Sequence, residues 1–196
     1  MSLRSVLLRE SPLPLSSSQV DALERHFDLL IRWNARLNLT RITDPDQAAV
    51  RHYCESLFVA ANLPDEAQRI VDLGSGAGFP GFPLAVVRPD CEVTLVESHK
   101  RKAVFLKECC RTHANLRVLS QRAEDIKERF DVLVMRAVEC RSVRDSLARL
   151  ANDVLILLSE KDLDDARADL EFVWHPARRL PWTGSGLLLH GSQRST

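Results

Sequence analysis

The chain has 196 residues, 45% of them hydrophobic, and 27 Lys or Arg balance 27 Asp or Glu for a formal net charge of zero. That length and apolar content suit one domain with a real core and appended helices, and the balance excludes a global field that would gather nucleic acid. No apolar run approaches the ~18 residues of a membrane span, the first ten residues do not make a signal peptide, and the five cysteines lack C-x-x-C spacing, so free thiols in a reducing, cytoplasmic compartment are expected.

Residues 1–17 read as irregular, with Pro12, Pro14 and a serine run. Ser18 is the expected cap of a first helix, with Asp21 as its first-turn acid; Leu23, Phe27, Leu30 and Ile31 then recur at helical spacing. A second helical stretch is expected over 45–61. Together these make an N-terminal helical cap over 1–66, ahead of a core over 67–196, in one compact unit. His52 and Cys54 lie two apart with no further ligands at recognisable spacing, so no metal site is expected.

Ile70-Val71 then read as the end of a buried strand, and Gly74, Gly76 and Gly78 as a tight turn with no side chains in the way. A backbone without Cβ atoms adopts positive φ and approaches a ligand closely. After a parallel strand, that turn lies where a nucleotide or nucleoside binds. Gly76-Ala77-Gly78-Phe79-Pro80-Gly81 spells the dinucleotide pattern G-x-G-x-x-G. Pro80, however, holds Phe79 extended and delays the next helix to about Pro83, whereas a dinucleotide loop runs straight into its helix. A carboxylate at Asp72 suits hydrogen bonds from loop N–H groups or a cationic ligand better than a pyrophosphate. S-adenosyl-L-methionine (SAM), with its sulfonium and amino groups, is such a ligand.

From Gln68 onward strand and helix alternate. Strands are expected near 69–73, 92–97, 116–120, 131–135 and 154–158, and helices near 83–88, 99–113, 142–151 and 162–171. Leu187-Leu188-Leu189 reads as a last strand. The pattern implies an α/β fold, Rossmann-like, with a mostly parallel sheet and helices on both faces. Glu97 closes the second strand 23 residues after Gly74, at the spacing of an acid that grips ribose hydroxyls. From Ser98 to Ala151 there are 13 Lys or Arg against 7 Asp or Glu, and the run Lys100-Arg101-Lys102 opens that segment. A basic surface beside the ligand edge would serve RNA phosphates.

Several motifs carry a resemblance. Trp33-Asn34-Ala35-Arg36-Leu37-Asn38-Leu39-Thr40 resembles the W-N-x-x-x-N-L-T segment of the bacterial 16S rRNA guanine-N7 methyltransferases, the glucose-inhibited division protein B family. His52 to Leu57 is similar to the family's H-x-x-D-S-L, with Glu55 in place of Asp. Asp72 to Pro83 resembles D-x-G-S-G-A-G-F-P-G-x-P, and Glu97 to Arg101 resembles D-S-x-x-K-R. Arg122-Ala123-Glu124 and Arg136-Ala137-Val138 resemble two further signatures. The similarity covers about 20 to 160, in order. Departures are Ala151-Asn152-Asp153 for P-G-G, Lys161-Asp162 for K-G, and the final seven residues.

The resemblance implies a SAM-dependent methyltransferase fold acting on guanine N7 of 16S rRNA, free or in a small-subunit particle; apart from the resemblance, a monomer with neither metal nor membrane is expected. The resemblance also implies that Gly74 and Phe79 line the methionine end of the SAM pocket, that Ala123 and Glu124 meet the adenine, and that Arg136 faces both cofactor and target base in the catalytic role. Asn38, within the first motif, is the implied substrate contact alongside Lys100 and Arg101. Guanine N7 has an available lone pair, so no general base is required, and none is found at a recognisable spacing. Two other classes stay open: a nucleotide-linked oxidoreductase, and a SAM-binding module that has lost catalysis.

Overall fold

The computed structural model describes residues 2–168 and 171–194. Its centre is a sheet in the order β3-β2-β1-β4-β5-β8-β6, with β7 paired to β8. The strands are β1 (Arg69–Leu73), β2 (Glu92–Val96), β3 (Leu116–Leu119), β4 (Phe130–Arg136), β5 (Ala151–Ser159), β6 (Phe172–Trp174), β7 (Arg178–Arg179) and β8 (Gly186–Gln193). The first five run parallel, and β8 returns antiparallel against β5 and β6. This is the mostly parallel α/β sheet that the alternation implies. The five parallel strands fall within a few residues of their expected places; β6 and β7 are additions that the pattern did not signal.

Alternation along each strand divides the core. Ile70, Val93, Leu95, Val132 and Val134 face one layer, which contains α5 (Gly81–Val87), α6 (Lys100–Cys110) and the N-terminal helices. Val71, Val96, Leu133, Met135 and Ile156 face the other, which contains α7 (Cys140–Leu150) and α8 (Leu163–Arg167). Both faces are covered, as a parallel sheet requires. No described helix is long and apolar enough to cross a membrane.

The N-terminus corrects two expectations. Residues Leu3–Glu10 form helix α1, closed by a reciprocal Ser2–Ser5 capping box, where irregular chain was expected. Helix α2 (Ser17–Leu37) is capped by Ser16 with Gln19 as its partner, not by Ser18 with Asp21. Leu23, Phe27 and Leu30 are buried along it, and Asn38 ends it in the left-handed region at φ 49°. The second helical stretch is three pieces in succession: α3 (Pro45–Ala48), a π segment (Ala49–Cys54) and α4 (Glu55–Ala60). Farther on, α5 begins at Gly81, two residues before the expected Pro83. Helix α8 follows a 3₁₀ turn at Glu160–Asp162; the expected helix over 162–171 includes 169 and 170, which lie outside the described residues.

Candidate active site at the carboxyl edge of the sheet

Register aligns the strand ends. Leu73 pairs with Val96 and Met135, Val96 with Leu119, and Arg136 with Leu157. Everything that follows these residues lies on one edge, where an open α/β sheet binds its ligand. That edge carries the glycine turn, Glu97, the 3₁₀ turn Ala123–Asp125, and Arg136.

The glycine turn is anchored before it bends. Gly74 and Ser75 both donate their N–H to the Val96 carbonyl at 2.9 Å. Gly74, Gly76 and Gly78 then take φ of 76°, 55° and 92°. Close packing opposes a side chain at two of them in a second way. A Cβ on Gly74 would lie 2.5 Å from Val138 Cγ2, and one on Gly78 would lie 3.1 Å from His26 Nε2. At Gly76 only the backbone conformation resists a side chain, since a Cβ there meets nothing closer than the Gly74 carbonyl at 3.7 Å.

Asp72 is fully buried beneath the turn. Its Oδ2 accepts the Gly81 N–H at 2.9 Å, while Oδ1 has no hydrogen-bond partner among the described residues. Ser75 spends its one hydroxyl proton on the Asp72 carbonyl. Burial pushes the Asp72 carboxyl up to about 7, against the pull of the Gly81 N–H. The N-terminus of α5, the place a pyrophosphate would occupy, therefore already holds a carboxylate. That disfavours the dinucleotide reading of this turn.

Glu97 accepts the Gly76 N–H at 3.1 Å and the His99 N–H at 2.7 Å. Phe79 is not at an open surface. Its ring stacks on His52 at 4.6 Å and meets His26 and Tyr53 edge-on at 5.3 and 5.1 Å. Ala123 is buried, and its carbonyl accepts from Arg149. Glu124 is exposed and stands 3.7 Å from Arg122.

Arg136 closes β4 and turns into a cluster contributed by the N-terminal helices. Its Nη2 lies 2.9 Å from Glu55 Oε2, and its Nη1 lies 3.3 Å from His52 Nδ1. Guanidinium cannot accept, so His52 Nδ1 is the acceptor, and its Nε2–H donates to Thr40 Oγ1 at 2.8 Å. Burial pulls the His52 pKa down to about 3, reinforced by Arg136 and Arg51, so this imidazole is neutral. Burial pushes Glu55 above the ordinary carboxylate range while Arg136 and Arg51 hold it down. The chain leaves Arg136 through Ala137 at φ 55°, an exposed alanine in a sparsely populated conformation, and Val138 folds back over Gly74. A cavity of about 660 Å³ opens here, bounded by Arg51, Arg136, Cys140 and Lys161 among others.

Of the implied substrate contacts, Lys100 and Arg101 form the exposed first turn of α6, and Asn38 is the exposed left-handed cap of α2. Arg101 donates to the Arg36 carbonyl at 3.3 Å, beside Trp33 in a groove between α2 and α6. The basic excess of 98–151 does not gather there as one surface. Arg117 pairs with Glu128 at 2.5 Å, Arg111 with Glu108 at 3.2 Å, and Arg141 with Asp165 at 2.5 Å, while Arg149 serves backbone carbonyls.

Sequence reasoning overlooked Arg51, His52 and Glu55 as site residues. An acid within the apolar run Cys54 to Ala60, with an arginine four residues earlier, was the available signal.

The chain has known relatives. A family model described as rRNA small subunit methyltransferase G (GidB) matches residues 19–169. Ribosomal RNA small subunit methyltransferase G of Roseiflexus sp. (strain RS-1) is 42% identical over 135 residues, covering 64% of this chain and 57% of that protein. The Dichelobacter nodosus protein of the same name is 43% identical over 129 residues, covering 64% and 61%. The match thus spans less than two thirds of these relatives' lengths. Among solved structures, a SAM-dependent O-methyltransferase of Thermotoga maritima aligns with a TM-score of 0.61 at 16% identity, covering 85% of this chain and 72% of that one. The Methanococcus jannaschii fibrillarin pre-rRNA processing protein aligns with a TM-score of 0.54 at 16% identity, covering 66% and 68%. These structures share the Rossmann-like methyltransferase fold. With its sheet order, its glycine turn and a family match across residues 19–169, the chain belongs to the rRNA small subunit methyltransferase G family.

Proposed function

We propose that this chain transfers a methyl group from SAM to N7 of a guanine in 16S ribosomal RNA, presented as free RNA or in a small-subunit particle in the cytoplasm. The observation that carries the reading is the shared edge: a three-glycine turn, a braced acid and a partly buried strand-end arginine, in a chain of this family. The residues suit SAM. The space at Gly76 is open, so a ligand can approach the backbone there closely, and Asp72 Oδ1 is a buried acceptor without a partner among the described residues. A cation near that oxygen would compensate the buried charge.

When bound, SAM supplies an electrophilic methyl group on a positively charged sulfur. The chain's part is alignment and exclusion of water. Asp72 and the glycine turn would hold the methionine end, Glu97 the ribose, and Ala123 with Glu124 the adenine. Arg136 has five N–H donors, of which Glu55 and His52 take one each. The rest can hold guanine at O6, the usual arginine contact on that edge. N7 must stay clear of donors because its lone pair forms the new bond. Positioning of this kind lowers a barrier by roughly 7–11 kcal/mol in favourable cases, and N7 needs no base to make it nucleophilic. A base inside folded RNA is reached as a single-stranded or splayed nucleotide.

Calorimetric titration with SAM and with NAD(H), followed by label transfer from SAM to small-subunit RNA, tests the reading. SAM binding with transfer supports it. SAM binding without transfer leaves a binding module, and NAD(H) binding leaves an oxidoreductase.

A further inference from the structure

The cavity beside Arg136 is bounded by a second arginine that the chemistry above does not use. Arg51 lies in the π segment, and its Nε sits 2.9 Å from Glu55 Oε1. Glu55 Oε2 meets Arg136 Nη2 at the same distance, 2.9 Å. The Glu55 side chain is 4% exposed, against 50% for Arg51 and 18% for Arg136. One buried carboxylate therefore carries a guanidinium on each oxygen. Burying such a charge is a poor way to gain stability. What it achieves is placement, since each guanidinium is fixed by one edge at the same cavity mouth.

The two arginines differ in what they have left to offer. Arg136 is held twice, by Glu55 and by His52. Among the described residues Arg51 meets Glu55 with Nε as its nearest nitrogen, and its side chain is 50% exposed, so its terminal Nη pair faces outward as an end-on fork. That fork matches two oxygens of a phosphate. The acids from the β5–α8 side are already engaged, Asp162 by Ser159 and Asp165 by Arg141 and Arg144.

We propose that Glu55 is a positioning residue that holds Arg51 and Arg136 as a two-arginine clamp, and that Arg51 takes a backbone phosphate of the RNA strand beside the target guanine. The inference rests on the RNA-methyltransferase reading given above. Arg136 addresses the base, and Arg51 sets the strand's register against it.

The test uses the full chain, small-subunit RNA as substrate, and three readouts besides turnover: SAM affinity, thermal unfolding, and RNA binding by anisotropy across a salt series. Arg51→Ala is expected to raise KM for RNA about tenfold, in line with the loss of one charged contact. It should reduce the salt slope of RNA binding by about 0.7, the value for one single-strand phosphate. Its kcat and SAM affinity should stay at wild-type levels, while stability falls somewhat because buried Glu55 keeps one guanidinium instead of two. Arg51→Lys should recover the salt slope but only part of the KM. Glu55→Gln should lower kcat as well as raise KM, and Glu55→Asp, with the same charge on a shorter arm, should recover more than Glu55→Gln. Wild-type KM and salt slope in Arg51→Ala would overturn the clamp. So would Glu55 variants whose loss follows only the unfolded fraction, with Asp no better than Gln. If wild-type protein binds the RNA without methylating it while Arg51→Ala still lowers the salt slope, the clamp stands and the methyltransferase reading falls; if wild-type protein does not bind the RNA, both fall.

Discussion

The Glu97 carboxylate accepts the Gly76 N–H at 3.1 Å, so the acid at the end of β2 and the glycine turn after β1 form one unit. With the His99 N–H on its other oxygen, Glu97 braces the turn, and its remaining lone pairs are the ones the proposed function gives to a ribose hydroxyl. Glu97→Ala is expected to weaken SAM by about 1.5–3 kcal/mol. It should also lower stability by about 1–3 kcal/mol, because backbone donors lose their acceptor. SAM titration beside thermal unfolding separates the two effects. A stability loss with unchanged affinity would make Glu97 a brace and nothing more.

Gly76 offers the cleanest test of where the cofactor lies. The space around it is open, and only its φ of 55° opposes a side chain. Gly76→Val should fold at a cost of about 1–3 kcal/mol and lose SAM affinity by more than about 100-fold, or ~2.7 kcal/mol. Gly78→Ala should behave differently, since its Cβ would press on buried His26 and Phe82 at 3.1 and 3.3 Å. There the loss should be mostly stability. Undiminished SAM affinity in Gly76→Val would remove the turn from the cofactor site.

The legible and illegible parts of this molecule differ for physical reasons. Ile70-Val71, Val93 to Val96 and Val132 to Met135 are continuous apolar runs because strands buried on both faces have no polar side. The ligand edge follows from them, since parallel register puts their ends in one row. Helix α1 was missed because eight residues carry little periodicity and its stability comes from docking on α2 and the π segment. Ser16 and Ser18 are locally equivalent, and only the reciprocal bond with Gln19 selects Ser16. The Glu55–Arg136 pair joins a helix to a distant strand, and no spacing rule reaches across that gap. The basic excess of 98–151 could be counted, but its partners Glu128, Glu108 and Asp165 could not be assigned without the fold.

Asp72 should make SAM binding depend on pH. Its folded-state pKa of about 7 stands above the unfolded value near ~3.9. Between those values the folded chain holds the extra proton, so the Asp72 contribution to stability falls as pH rises from about 4 to about 7. A cation beside the carboxylate favours its ionised form and reverses that preference. SAM affinity should therefore rise across about pH 6–8, with uptake of SAM releasing up to about one proton. Calorimetry in buffers of different ionisation heat measures that release, and Asp72→Asn should abolish it. Binding without proton release would take Asp72 away from the cationic end of the ligand.

His26 should weaken the fold in acid. It is stacked on Phe82 at 4.1 Å with Nδ1 at 2.8 Å from the Tyr53 hydroxyl, and burial pulls its pKa down to about 3. As pH falls below the unfolded value near ~6.5, the unfolded chain takes the proton first. The native state then loses about 1.4 kcal/mol per pH unit from this group until about pH 3. His26→Phe lacks the effect, so its unfolding free energy relative to wild type should shift in its favour as pH falls from about 6.5 to about 4.5. Parallel profiles would show a protonated His26 in the native state.

Arg136 is a partly buried strand-end cation between Glu55 and the cavity, and the proposed function gives it the target base. Arg136→Ala should remain folded and bind SAM, yet lose most methyl transfer, with lysine restoring only part because it lacks the planar fork. The decisive measurement is transfer of labelled methyl from SAM to small-subunit particles from cells lacking this modification, with the product identified after RNA digestion. Label is expected in N7-methylguanine with the wild-type chain, and little with Arg136→Ala. Label in a different base, or wild-type transfer by Arg136→Ala, would contradict that expectation.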